Sequence, residues 1–283
     1  MGESFPALPA ARWRRGVLVR APNWLGDSLM TLPAVAGLVR LRPADTALWI
    51  LCPASLAPLW EAVHGVTAVI PLAGRHATGD VARRIRDLGA GVAVVFPNSL
   101  GSALDVTFKG IPVRVGRCGR GRSLLLSRTT AAWRRSERRA RYHQATHYLD
   151  VAALLGPVRR TTDMPRFTLP GREAALERLG IAPAAAPWLA LAPGAAYGPA
   201  KQWPVGNFRK LAESWAGAGR RVVIVGGPGD AAAGARIAEG LPHALSLCGK
   251  TTLAELMAVL SAARACVAND SGAMHLAAAL GTP

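Results

Sequence analysis

Short apolar runs along the chain alternate with longer stretches in which apolar residues return every three to four positions. In the first half, residues 17–20, 47–52, 68–72, 92–97 and 113–116 read as strands, and residues 28–42, 80–88 and 147–155 as helices between them. A stretch rich in proline and polar residues, GPVRRTTDMPRFTLPG, then breaks the rhythm and reads as a linker. Alternation resumes with strands at 189–192, 221–225, 244–247 and 266–268 and helices at 205–216, 231–239, 253–262 and 272–280. Strands alternating with helices predict an α/β fold with parallel sheets covered on both faces. The expected organisation is two Rossmann-like domains facing a cleft, residues 1–165 and 188–283, joined by a linker at 166–187. The chain stops at GTP just after a helix, where a doubly wound domain would continue into another strand. The second domain is therefore expected to be truncated at its C-terminal end.

Composition fits this picture. A chain of 283 residues, half of them apolar, suits two domains with well-buried cores. Its longest unbroken apolar runs, such as VAVVF and VVIV, are far short of a bilayer span. Arg12, Arg14 and Arg15 near the N-terminus are not followed by an apolar segment of signal-peptide length, so a cytoplasmic location is expected. The four cysteines (Cys52, Cys118, Cys248, Cys266) are scattered without zinc-site or disulfide spacing and read as buried thiols. The histidines at 64, 76, 143, 147 and 243 show no metal-ligand spacing either.

Charge changes the picture more. The net +17 is uneven: residues 1–170 carry 24 Lys and Arg against 10 Asp and Glu, and residues 171–283 carry 10 against 7. Between Arg114 and Arg141 there are ten arginines and a single acid, Glu137. The N-terminal half is thus built to face something acidic: nucleic acid, an anionic membrane, or a phosphorylated or carboxylated substrate.

Four stretches carry candidate chemistry. In open α/β sheets ligands bind beyond the carboxyl ends of the strands. There, in APNWLGDS, Gly26 fits a tight turn or a close ligand approach, and Asp27 is either a helix cap or a base in the cleft. In LALAPGAAYGPAKQWPVGNF, a small-residue loop leads to Lys201 just before a helix whose first turn would hold Pro204. A lysine beside a helix N-terminus is a plausible phosphate clamp. In VVIVGGPGDAAAG, residues 227–232 fit G-x-G-x-x-A, but the turn is not the first of its domain. The position for a ribose-binding acid holds Gly249 and Lys250, so Asp230 is left as a ribose ligand or a cap. The tripeptide GKT at 249–251 fails as a phosphate loop because Ala244 stands where the first glycine belongs. In CVANDSGAMHLAAALG, an acid, a hydroxyl and a histidine (Asp270, Ser271, His275) gather at one helix mouth with Gly272, as a polar phosphorylated ligand would require.

Taken together these stretches resemble the ADP-heptose:lipopolysaccharide heptosyltransferases of glycosyltransferase family 9. The likeness lies in APNWLGDSLMTLPA, VVFPNSLGSAL, KGIPVRVGRCGRGR, PGAAYGPAKQWP, VGGPGD, GKTTLAELMAVLSAA and VANDSGAMHLAAALGTP, in the family's order and over nearly the whole chain. The PNS, PGAAYGPAKQWP and NDSG versions are more similar to the heptosyltransferase II branch than to heptosyltransferase I.

The resemblance implies a GT-B fold, with an acceptor-binding N-terminal domain and a nucleotide-sugar-binding C-terminal domain. It implies inverting transfer of L-glycero-D-manno-heptose from ADP-heptose onto the heptosyl-Kdo inner core of lipopolysaccharide. Asp27 would then be the general base and Lys201 the cation that stabilises the departing diphosphate. Gly194, Ala195, Tyr197, Asp230, Thr251, Thr252, Asp270, Ser271, Gly272 and His275 would hold the donor. Asn23, Asn98, Ser99, Arg114, Arg117 and Arg120 would face the acceptor. The anionic acceptor accounts for the basic N-terminal half, which would also draw the enzyme to the cytoplasmic face of the inner membrane. Nothing resembles a D-x-D metal site, so no cofactor is required and Mg2+ is at most stimulatory.

Three alternatives compete. A heptosyltransferase I, or a related ADP-heptose transferase with another acceptor, would share the same motifs. A nucleic-acid-binding protein would use the arginine-rich 114–141 stretch, but that stretch lacks interleaved aromatics and no nucleic-acid module is visible, so no nucleic-acid partner is expected. A dehydrogenase using residues 227–232 ranks last.

Overall fold

The computed structural model describes residues 8–119, 121–130, 143–181, 188–195 and 202–283, and the chain divides into two compact units, Met1–Arg166 and Phe167–Pro283. The first unit runs α1 (Ala10–Trp13), β1 (Val17–Arg20), α2 (Leu25–Leu41), β2 (Leu48–Pro53), α3 (Ala57–Glu61), β3 (Ala68–Leu72), α4 (Gly79–Asp87), β4 (Val92–Val95), α5 (Leu100–Leu104), β5 (Val113–Gly116), β6 (Arg128–Thr129) and α6 (Gln144–Ala152). Its six parallel strands lie in the order β3-β2-β1-β4-β5-β6.

β1, VLVR, is buried along its whole length because both sheet faces are covered, as a near-continuous apolar strand requires. On one face Leu18, Ala93 and Val95 pack with Ile85 of α4 and Ala103 of α5. Side chains alternate along a strand, so Val17 and Val19 point to the other face. α6 packs against α2, β4 and β5.

The second unit runs α7 (Arg172–Arg178), β7 (Leu189–Ala192), α8 (Val205–Gly217), β8 (Val222–Ile224), α9 (Ala231–Ala238), β9 (Ala244–Ser246), α10 (Leu253–Ala262), β10 (Ala265–Ala268) and α11 (Gly272–Ala279). Its four parallel strands lie in the order β10-β7-β8-β9 over a core that includes Leu189, Leu191, Phe208, Val222, Ile224 and Ile237. The stretch read as a linker, 166–187, contains α7, which packs on α10, and Ala175 and Leu176 of α7 are buried. REAALER has too few apolar residues to stand out by period, and its burial depends on a helix far along the chain.

In each sheet the strand order reverses once, next to β1 and next to β7. Arg20 is level with Val95 of β4, and Ala192 is level with Ala268 of β10. The loops after β1 and β4 therefore leave the same sheet edge side by side, as do those after β7 and β10. That is the switch-point geometry at which open α/β sheets take ligands.

Candidate functional site

At the switch point of the first unit, α2 begins three residues earlier than its apolar period predicts. Trp24 is its N-cap, in extended conformation and without a side-chain cap bond. Gly26 and Asp27 thus fall in the first helical turn, and the capping reading of Asp27 does not hold. Ser28 does not cap either: it is buried and donates from Oγ to Pro22 O at 3.2 Å. The Asp27 carboxylate sits in the first turn of α2, at the positive end of the helix dipole. Its Oδ1 accepts a 2.6 Å hydrogen bond from Gln144 Nε2, on the first residue of α6. The same nitrogen lies 3.2 Å from Tyr148 Oη. Burial pushes the Tyr148 phenol up, with the Asp27 charge adding to the effect and Gln144 and Arg117 opposing it.

Beneath this turn lies a buried ion pair. Arg20 Nε donates to Asp105 Oδ2 at 2.9 Å, with side chains only 1% and 2% exposed. Arg20 Nη2 also donates to Asn23 Oδ1 at 2.9 Å and to Arg75 O at 3.3 Å, and Nη1 donates to Ala21 O. Asp105 Oδ1 accepts from Ala77 N at 2.9 Å and lies 3.3 Å from His76 Nδ1. One arginine at the end of β1 therefore ties the β1–α2 loop and the loop before α4 to α5.

The other expected acceptor residues divide. Asn23 is exposed, with its amide oxygen held by Arg20. Asn98 accepts from Arg122 Nη1 at 2.9 Å, and Ser99 is the N-cap of α5, accepting from Ser102 N at 3.2 Å. Arg114 does not present its guanidinium outward: Nε donates to Leu125 O at 2.8 Å and Nη1 to Ile111 O at 2.5 Å. It ties β5 to the segment after it. Arg117 is half-buried, and its charge acts on Tyr148 and His147. Arg120 lies outside the described residues.

In the second unit, Gly194 follows β7, and a Cβ placed there would meet Asp230 Oδ2 at 2.4 Å. Gly226 is under the same constraint at 2.7 Å, and Asp230 Oδ2 accepts from Gly227 N at 2.8 Å. Asp230 thus braces the turn after β8 against the end of β7, which only glycines at 194 and 226 allow. Ala195 follows at partial exposure, while Tyr197 and Lys201 lie outside the described residues.

Asn269 is 6% exposed: Nδ2 donates to Pro193 O at 2.6 Å and Oδ1 accepts from Trp203 N at 2.9 Å. A single buried amide therefore holds both flanks of the segment that contains Lys201. Beside it Ser271 is the N-cap of α11 but makes no cap bond, and its Oγ is buried without a partner among the described residues. His275 Nε2 lies 3.9 Å from Asp270 Oδ1, and Gly272 opens α11. Thr252 is occupied by a capping box: its N–H donates to Glu255 Oε2 at 2.9 Å and its Oγ1 accepts from Glu255 N at 3.3 Å. The Thr252 N–H and the Thr252 hydroxyl, which also donates to Oε2 at 2.9 Å, hold the Glu255 carboxyl below its usual range. Thr251 beside it is half-buried. Among the described residues, no three His, Cys, Asp or Glu side chains gather as a metal site would need.

The sequence pattern of glycosyltransferase family 9 (heptosyltransferase) matches residues 79–283. Lipopolysaccharide heptosyltransferase 2 of Escherichia coli K12 is 30% identical over 94% of this chain and 80% of its own length. The chain belongs to glycosyltransferase family 9. The structure of E. coli ADP-heptose LPS heptosyltransferase II superposes with a TM-score of 0.81 at 28% identity, over 95% of this chain and 83% of that one. Lipopolysaccharide heptosyltransferase 1 of Pseudomonas aeruginosa is 39% identical, but over only 38% of this chain and 30% of its own. The two Rossmann-like units are accordingly those of the GT-B fold of this family.

Within the family 9 chain, sequence reasoning passed over Gln144, Tyr148, Arg20, Asp105 and Asn269. One signal was readable: Arg20 and Asp105 are lone charges in otherwise apolar segments, VLVR and LGSAL-D. Gln144 carried no such signal, because α6 was expected to begin only at residue 147.

Proposed function

We propose that this chain is the heptosyltransferase II of its family, moving L-glycero-D-manno-heptose from ADP-heptose onto the heptosyl-Kdo inner core of lipopolysaccharide. The observation that carries the reading is the likeness to E. coli heptosyltransferase 2 over 94% of this chain and 80% of that protein, set against 38% of this chain for the P. aeruginosa heptosyltransferase 1. Asp27 takes the proton from the attacking acceptor hydroxyl. That oxygen forms its bond to the anomeric carbon as the bond to the diphosphate breaks, and ADP leaves with the electron pair. One carboxylate suffices for a single inverting displacement. Ser271 Oγ, without a partner among the described residues at the mouth of α11, and the first N–H groups of that helix suit the donor phosphates. Asp270 and His275 contact sugar hydroxyls or phosphate, and Lys201 offsets the charge developing on the leaving group. Asp230 reaches the ribose only from its braced position against Gly194 and Gly226. No metal is required for this step, so transfer is expected to persist after chelation with EDTA, with Mg2+ at most stimulating it.

The partner surface is an anionic lipid. Among the described residues no helix is long and apolar enough to cross a membrane. Leu100 and Leu104, one helical turn apart, are about half exposed, and Phe108 is 81% exposed. With Lys109 adjacent and the first unit's excess of arginine, this suits peripheral attachment to the cytoplasmic face of the inner membrane.

The deciding experiment is a mass spectrum of two lipid acceptors after incubation with ADP-heptose, one ending in Kdo and one already bearing a heptose. A gain of one heptose only on the second is expected. A gain only on the first overturns the type II reading, and no gain on either overturns the activity.

A further inference from the structure

An exposed glutamine ordinarily keeps its rotamer freedom. Gln144 is exposed, yet its Nε2 is directed to two oxygens, Asp27 Oδ1 at 2.6 Å and Tyr148 Oη at 3.2 Å. Tyr148 is itself fixed. It is 7% exposed and meets Phe96, the residue after β4, edge to face with ring centroids 5.4 Å apart. A rigid line thus runs from the end of β4 through Phe96, Tyr148 and Gln144 to the carboxylate at the head of α2. Among the described residues Oδ2 of Asp27 has no hydrogen-bond partner.

We propose that Gln144 is the positioning residue of the catalytic base, fixing Oδ1 of Asp27 so that Oδ2 faces the acceptor hydroxyl. The proposal rests on the reading of Asp27 as that base. The amide suits the task chemically: its nitrogen can only donate, so it neither competes for the proton nor adds a charge that would quench the base. The bond is exposed and lies at the ends of two helices that pack through buried residues, so the fold does not depend on it. The other charged or titratable groups on the surrounding elements are His143, the N-cap of α6, His147, Tyr148 and Asp150 of α6, Arg40 in the last turn of α2, Arg117 after β5, and Arg20, which is paired with Asp105. Tyr148 is pushed up by burial and stays neutral through the working range, while His147 is lowered by burial and by Arg117.

The test compares kcat, KM and the pH dependence of kcat in the wild type, Gln144→Ala, Gln144→Glu and Asp27→Asn. Gln144→Ala is expected to lower kcat about 10- to 100-fold, the scale on which a misplaced catalytic group acts. KM for ADP-heptose should stay within about threefold, because only the transition state needs the aligned base. Gln144→Glu sets two carboxylates in contact, so the acidic limb of kcat is expected to move to higher pH by at least about one unit. A purely structural bond would move neither that limb nor the split between kcat and KM. Asp27→Asn inactive, with both Gln144 variants keeping wild-type kcat and limb, overturns the positioning role alone. Asp27→Asn active overturns the base reading and this proposal with it.

Discussion

Replacing Asp105 with alanine breaks the ion pair under the first switch point and leaves the Arg20 guanidinium charged and buried. Both side chains are almost wholly buried, at 1% and 2% exposure. Removing one partner of such a pair costs about 3–5 kcal/mol, chiefly because the surviving charge is uncompensated. The Ala77 N–H also loses its acceptor, while Arg20 keeps Ala21 O, Asn23 Oδ1 and Arg75 O. These retained bonds place the expected loss near the lower end, about 3–4 kcal/mol. A two-unit chain has no single melting temperature to read this from. The assay is therefore peptide-resolved hydrogen exchange, which reports the opening free energy of β1 and β4 separately from that of β7 and β8. Only the first pair should lose protection, by a factor of about 100 to 1,000 at 1.4 kcal/mol per decade. The double variant Arg20→Met with Asp105→Leu should recover most of the loss, because apolar replacement removes both desolvated charges together. Asp105→Ala within about 1 kcal/mol of wild type, or a double variant no better than the single, would refute this account of the pair.

Asn269→Ala leaves Pro193 O and Trp203 N without their buried partner. It should destabilise the second unit by about 2–4 kcal/mol, read as lost hydrogen-exchange protection of β7 and β8, and slow transfer more than it weakens ADP binding. Thr252→Ala removes the cap of α10 and should cost about 1 kcal/mol, read in the same experiment. The capping box holds Glu255 low, so its contribution is full above the ordinary carboxylate range and is lost as pH falls through the lowered value; Thr252→Ala keeps the backbone N–H and loses the hydroxyl, so it should flatten that acid dependence only in part. Burial pushes the Cys52 thiol up to about 12 and Cys266 to about 11. Cys52, which is wholly buried, should resist a thiol reagent at pH 8 until denaturant is added, and half-buried Cys266 should label slowly; prompt labelling of Cys52 would contradict its burial.

The local order of elements was legible without coordinates. Strands at 17–20, 68–72, 113–116 and 189–192 and the helix at 253–262 match their observed bounds, because each is an apolar segment punctuated by glycine, proline or a cap. The family could also be read, since APNWLGDS, PGAAYGPAKQWP and NDSG carry residue types that only a site needs. Helix starts were less legible. α2 opens at Leu25 on an uncapped tryptophan, and α6 opens at Gln144, both three residues before the apolar period begins. Those first turns add only Leu25 and Ala145 to the apolar pattern, too little for periodicity to detect, yet they carry Asp27 and Gln144. Side-chain partnership was out of reach altogether. Arg114, expected at the acceptor, spends its guanidinium on the backbone carbonyls of Ile111 and Leu125. Gln144 meets Asp27 across 117 residues of chain. Composition and period report what a residue contributes to its own element. Which charge is buried against which, and which amide steers which carboxylate, is decided when the parallel sheet sets distant strand ends side by side.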